Sequence, residues 1–225
     1  MRGFDHIDTW VFDLDNTLYP ASCRLFDQID RKMTGLVSEI LGVPSIEART
    51  IQKGLFHKYG TTLRGLMVEH EVDPKYFLHH AHDIDYAPVP TDGALDRALD
   101  GLAGRKLIFT NGTVAHAESV LQRLGVTRHF TDIFDIVDSD YIPKPQRRPY
   151  EKFIRHTNIR ARTSAMFEDI ARNLEAPHEL GMTTVLITSD DNHDAHVLNG
   201  ADKPDYVHHT TCHLAGFLNG LGRTL

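Results

Sequence analysis

Short apolar runs of strand length recur along the chain: 9–14 (TWVFDL), 106–111 (KLIFTN), 132–139 (DIFDIVDS), 164–169 (SAMFED), 183–188 (TTVLIT) and 205–210 (DYVHHT). Several lack the apolar–polar alternation of a half-exposed strand. That is the pattern of strands buried on both faces of a parallel sheet. Helix-like stretches lie between them. Residues 114–124 put Val114, Val120, Leu121 and Leu124 on one face before Gly125, a C-terminal stop signal. In 91–102, Thr91 or Asp92 precedes Leu95, Leu99 and Leu102 and is a suitable N-cap. In 173–180, Leu174 and Leu180 precede Gly181. Strand and helix alternate from about residue 105 onward, which predicts an α/β fold with a parallel sheet.

The pattern changes between the first two strands. Residues 24–41 place Leu25, Ile29, Met33, Leu36, Val37, Ile40 and Leu41 at helical spacing. More helix-like sequence fills 46–83, broken at Gly42-Val43-Pro44, Gly60 and Asp73-Pro74. This predicts a helical insert over 20–88, rejoined through Tyr86-Ala87-Pro88-Val89-Pro90.

At 225 residues the chain is long enough for one large domain or two small ones. The net charge of −7 argues against a nucleic-acid polymer as partner. No run approaches the ~18 apolar residues of a membrane span, and MRGFDHIDTW lacks a signal core, so a cytoplasmic location is expected. Two distant cysteines, Cys23 and Cys212, predict neither a disulfide framework nor a zinc site. The histidines of 79–83 and 192–196 do not form a convincing zinc ligand set.

Candidate chemistry begins with the stretch 11–20, VFDLDNTLYP, where Asp13 and Asp15 leave the first strand. Ligands of open parallel sheets bind beyond the carboxyl ends of the strands. Thr110-Asn111-Gly112, Lys144 between two prolines, and Glu168-Asp169 follow later strands in the same way. Carboxylates about 4 Å apart repel by roughly 4 kcal/mol at an effective dielectric near 20, so a proton or a cation must offset them. An all-oxygen acid cluster suits Mg²⁺. One ammonium and one hydroxyl beside it make a site for a phosphate dianion. One acid can attack phosphorus and the other can move protons, its own pKa raised by the neighbouring charge. Glu168 is the weaker candidate ligand, with a supporting role or plain exposure as the alternatives. Arg147-Arg148 either attracts substrate phosphate or, the plainer reading, belongs to a solvated loop. Tyr59, Thr61, Thr62 and Arg64 either face a substrate or begin a helix.

These motifs resemble the haloacid dehalogenase superfamily: DxDxT at 13–17, Thr110 in FTNG, Lys144 in IPKPQRRPY and Asp169 in FEDIARNL, in the family's order over nearly the whole chain. The resemblance implies a three-layer α/β/α Rossmann-like core (1–19 and 89–225) and an all-helical cap (20–88). It implies Asp13 as nucleophile and Mg²⁺ ligand. Asp15 would be general acid/base and bind the metal through its backbone carbonyl. Thr110, Asn111 and Lys144 would hold phosphate, Asp169 would be a third ligand, and Asn173 would support the site. Dehalogenating members lack the second acid, so Asp15 implies a phosphatase. VFDLDNTLYP, YGTTLRGL (59–66), HDIDY (82–86), FTNG and FEDIARNL look like the pyrimidine 5′-nucleotidase branch. The implied substrate is a small phosphorylated metabolite such as UMP or CMP. A phosphosugar or phosphoglycolate phosphatase, a phosphomutase and a non-catalytic binding protein are the alternatives. A homodimer is left open.

Overall fold

The computed structural model describes residues 3–189 and 203–222. Six parallel strands form one sheet: β1 (Thr9–Phe12), β2 (Arg105–Phe109), β3 (Asp132–Phe134), β4 (Ser164–Glu168), β5 (Thr183–Ile187) and β6 (His209–Thr211), in the order β3-β2-β1-β4-β5-β6. β1 is central. Phe12 lies level with Ile108 on one side and Phe167 on the other, so the chain leaves three strands at the same height.

Alternation along the strands fills two cores. Trp10, Phe12, Ile108, Phe167 and Val185 face one way, onto α5 (Gly93–Asp100), α6 (Val114–Leu124) and α9 (Leu214–Gly222). Val11, Leu107, Phe109, Met166 and Leu186 face the other way, onto α7 (Arg147–Thr157) and α8 (Glu175–Glu179). This is the three-layer α/β/α arrangement, and it explains why the strand sequences are apolar at successive positions.

Four further helices follow β1: α1 (Leu25–Leu41), α2 (Ser45–Tyr59), α3 (Thr62–His70) and α4 (Pro74–Ala81). They enclose their own core of Leu36, Val37, Leu55, Leu66, Phe77 and Leu78, which also takes in Ile136 from the loop after β3. Thr61 caps α3 through Arg64 N at 3.1 Å. Asp73 caps α4, with Pro74 at its start. Asp92 caps α5 through the amides of Ala94 and Leu95, and Gly125 ends α6 at φ +77°.

Three predicted elements depart most from their expected spans. The strand expected over 132–139 stops at Phe134, because Asp135 turns its carboxylate onto the amides of Val137 and Asp138 at 2.8 and 2.9 Å. The strand expected over 205–210 is confined to 209–211, after a turn in which Val207 N bonds Pro204 O. The helix expected over 173–180 is a 3₁₀ turn, Ala171–Leu174, followed by α8. Arg147 and Arg148 are not loop residues. They open α7 and pair with Glu151, Glu179 and Asp140. Among the described residues no helix is long and apolar enough to cross a membrane.

Phe12 is fully buried and stacks on Phe167 at 4.7 Å, immediately before Asp13. Phe12→Ala is expected to cost about 3–5 kcal/mol, read as a lower urea midpoint with an unchanged slope.

Candidate active site

Asp13 follows β1, its amide bonded to Phe167 O at 2.9 Å. The chain then curls back: Leu18 N bonds Leu14 O, and Asn16 takes φ +59°, a conformation asparagine tolerates well. This curl brings Thr17 Oγ1 to Asp13 Oδ2 at 3.1 Å. Asp13 Oδ1 accepts from Lys144 Nζ at 2.6 Å. The same ammonium donates to Glu168 Oε2 at 2.7 Å and to Phe109 O at 3.0 Å. An ammonium has three donors, and all three are used. Lys144, expected to hold phosphate, here first fixes Asp13 and Glu168.

Asn111 has a similar supporting geometry. Its Oδ1 accepts from Lys144 N at 2.9 Å and its Nδ2 approaches Lys144 O at 3.4 Å, so it clasps the loop that presents the lysine. Thr110 is buried at the end of β2, and its Oγ1 accepts from Gly112 N at 2.9 Å. Asn173 is buried in its 3₁₀ turn, with its carbonyl bonded by Tyr150 Oη at 2.7 Å.

Asp13, Glu168 and Asp169 are all buried and offer oxygens within 4.8 Å of one another. Glu168 is thus a member of the cluster, not a peripheral acid. Its signal in the sequence was its place as the last residue of β4. Burial, reinforced by the charge of Glu168, pushes Asp13 up to about 7 against the opposing pull of Lys144. Burial and the charges of Glu168 and Asp13 hold Asp169 well above the carboxylate range. Burial alone would lower Lys144, but the two acids outweigh it and keep it protonated. Three carboxyl groups outnumber the one ammonium, and an all-oxygen donor set of this kind fits a hard divalent cation.

Asp15 is set apart from this cluster. Its Oδ1 accepts from Tyr19 Oη at 2.5 Å and from His116 Nε2 at 2.9 Å. Burial favours the neutral acid, yet the charge and hydrogen bond of His116 and the bond from Tyr19 outweigh it and lower the Asp15 pKa. The raised value expected from a neighbouring acid is therefore reversed. His116 and Tyr19 were not read from the sequence as site residues, although Tyr19 stands one helical turn beyond Asp15.

Asp13, Asp15, Thr110, Asn111, Lys144, Asp169 and Asn173 all line one chamber of about 730 Å³. Its other wall comes from α1–α4 and includes Met33, Gln52, Lys53, Phe56, Thr61, Thr62 and Phe77. Arg172 places its guanidinium over the Phe56 ring at 4.7 Å, a contact between the sheet-based layers and the helical insert. Thr61 both caps α3 and lines the chamber. Among the described residues, His79 and His80 join no metal-binding group. The histidine group at 192–196 lies outside the described residues.

Comparison with known proteins places the chain at the level of family and fold. The chain matches the haloacid dehalogenase-like hydrolase model over residues 7–181, and it belongs to that family. It is 24% identical over 194 residues to phosphate metabolism protein 8 of Saccharomyces cerevisiae, covering 79% of this chain and 60% of the yeast protein. Its fold is shared by a HAD phosphatase from Thermococcus onnurineus, with TM-score 0.64, 16% identity and coverage of 96% and 98% of the two chains. The magnesium-bound HAD-hydrolase YfnB from Bacillus subtilis gives TM-score 0.60 at 16% identity over 96% and 98%. L-2-haloacid dehalogenase from Xanthobacter autotrophicus gives 0.58 at 13% over 96% and 97%.

Lys144→Met keeps most of the side-chain volume but leaves Asp13 and Glu168 without their shared cation. In urea unfolding without divalent ions it is expected to cost about 3–5 kcal/mol, the usual penalty for breaking a buried pair.

Proposed function

We propose that the protein is an Mg²⁺-dependent phosphatase acting on small phosphate monoesters, with a pyrimidine nucleoside 5′-monophosphate as the preferred substrate class. The observation that carries this reading is the buried Lys144 bridge between Asp13 and Glu168, with Asp169 in the same cluster. The carboxylates of Asp13 and Asp169 and the backbone carbonyl of Asp15 would hold the ion, with Glu168 beside them. When bound, Mg²⁺ supplies the positive charge that lets a phosphate approach these acids.

The chain's own residues divide the work. Asp13 attacks phosphorus through a carboxylate oxygen, and the bond from phosphorus to the ester oxygen breaks. The acidic proton enters with the monoester as its monoanion, and Asp15 relays it to the leaving oxygen. Water then attacks the aspartyl phosphate at phosphorus and gives a proton to Asp15. Asp13 is restored as carboxylate, and the proton departs with inorganic phosphate. Thr110 and the backbone amides after β2 orient the phosphoryl oxygens, while Asn111 keeps Lys144 in register.

The helices α1–α4 act as the cap that encloses the leaving group. The chamber has the size of a small-molecule site. Phe56 and Met33 offer apolar surface for a base, with the polar groups of Gln52 and Lys53 on the same wall. The name of the yeast relative, a phosphate metabolism protein, is consistent with this class.

Phosphate release from a panel of nucleoside monophosphates, phosphosugars and phosphoglycolate tests both levels of the proposal. UMP and CMP are expected to give the highest kcat/KM. EDTA should abolish release, and Asp13→Asn should lower kcat by more than about 10³-fold, the order seen when a nucleophile is removed. Preference for a phosphosugar would replace the nucleotide reading, and an active Asp13→Asn protein would exclude the nucleophile.

A further inference from the structure

The Asp15 carboxylate is gripped by one group from the outgoing crossing to the helical insert and by a second group that the returning crossing holds in place. Tyr19, on the outgoing crossing, bonds Oδ1 at 2.5 Å. His116, at the start of α6, bonds the same oxygen at 2.9 Å. His116 is itself held by the returning crossing: Tyr86 Oη meets its Nδ1 at 3.0 Å, and the His82 ring stacks on it at 4.5 Å and 8°. Thr113, the N-cap of α6, meets His82 Nδ1 at 3.3 Å.

Two details make this a shaped seat. The His116 side chain has no solvent exposure, although histidine is polar and sits in the first turn of a helix. Gly112 leaves the room for it: a Cβ there would lie 3.1 Å from His116 Cδ2 and 3.8 Å from His82 Nε2. The bond to Asp15 does not depend on the protonation state of the ring. With Nε2 carrying hydrogen, Nδ1 can accept from Tyr86 as the neutral ring or donate to it as the cation, and Nε2–H faces Asp15 in both.

We propose that His116, seated by Tyr86 and His82, is a positioning residue that fixes the Asp15 carboxylate through Oδ1 and leaves Oδ2 to pass the proton to the leaving group. This rests on the phosphatase reading and deepens it. The orientation of the proton relay is thereby tied to the segment 82–86 that re-enters the core from the helical insert. A relay that is present but misaligned fails most where the leaving oxygen most needs a proton. Alkyl phosphates, nucleotides included, need it strongly; p-nitrophenyl phosphate, whose leaving phenolate is already stable, needs it little.

The test is the ratio of kcat for an alkyl phosphate to kcat for p-nitrophenyl phosphate, measured with saturating Mg²⁺. His116→Leu removes the donor but leaves Asp15 in place, so it is expected to lower this ratio by about 10–100-fold, up to the lower edge of the roughly 10²–10⁴-fold that a general acid contributes, with KM changed less than about threefold. His116→Gln, which can present an amide N–H toward Asp15, is expected to recover part of the loss. Tyr86→Phe keeps the ring stack of His82 on His116 and removes the hydroxyl's bonds to His116 Nδ1 and His82 O, so a smaller fall in the same direction is expected. If His116→Leu does not fold, the Gln and Tyr86→Phe proteins carry the test. An unchanged ratio in the folded variants, or a Gln variant no better than Leu, overturns the positioning role. A wild-type protein that releases phosphate from neither ester overturns the phosphatase reading, and the positioning role with it.

Discussion

One buried ammonium organises the site. Lys144 is almost wholly enclosed, and its three donors go to Asp13, Glu168 and a backbone carbonyl of β2. A charge so far from water persists only with its partners in place. The requirement is mutual: without Lys144 the acids at the ends of β1 and β4 would face one another unscreened. The loop that carries Lys144 is therefore pinned across the mouth of the sheet, and Asn111 fastens its backbone from the neighbouring strand end. Even so, the acids outnumber the ammonium. These carboxyl groups are the oxygen donors that the proposed divalent cation would take.

Around this centre the fold separates two kinds of acid. Asp13 and Asp169 are held above the usual carboxylate range by burial and by the charge of Glu168. Asp15, two residues further along, is held below it by His116 and Tyr19. A single turn of chain thus presents one carboxyl to the cation cluster and another to a separate hydrogen-bonded seat. Groups whose surroundings differ this much take different parts in a reaction. The helices α1–α4 complete the chamber from above, and Gly60 at the α2–α3 turn sits close to the Lys144 loop: an added Cβ would come within 3.1 Å of Lys144 O.

Much of this was legible in the chain. Doubly apolar strands announced a buried parallel sheet, because residues such as Val11 and Phe12 serve opposite cores. The four motif segments announced the family and the residues at the sheet end of the chamber, Asp13, Asp15, Thr110, Lys144 and Asp169 among them. What the sequence obscured was pairwise geometry. Nothing in the spacing of Lys144 says that its ammonium would be saturated by Glu168 and Phe109 O before any substrate arrives. His116 lies about a hundred positions from Asp15 and was legible only as a helix residue. Strand ends were misjudged where a side chain competes with the ladder, as Asp135 does by capping the turn that cuts β3 short. Apolar periodicity reports burial; it does not report where a carboxylate captures backbone amides.

The central claim is that the acids at the ends of β1 and β4 together hold one divalent ion. Calorimetric titration of the metal-free protein with Mg²⁺ tests it directly, comparing wild type with Asp169→Asn. Loss of an outer partner alone typically weakens a metal site 10–100-fold, so loss of a ligand should weaken it by at least about tenfold. The account predicts one ion per chain in the wild type and that loss in the variant. Absence of Mg²⁺ binding, or binding that Asp169→Asn leaves untouched, would contradict it.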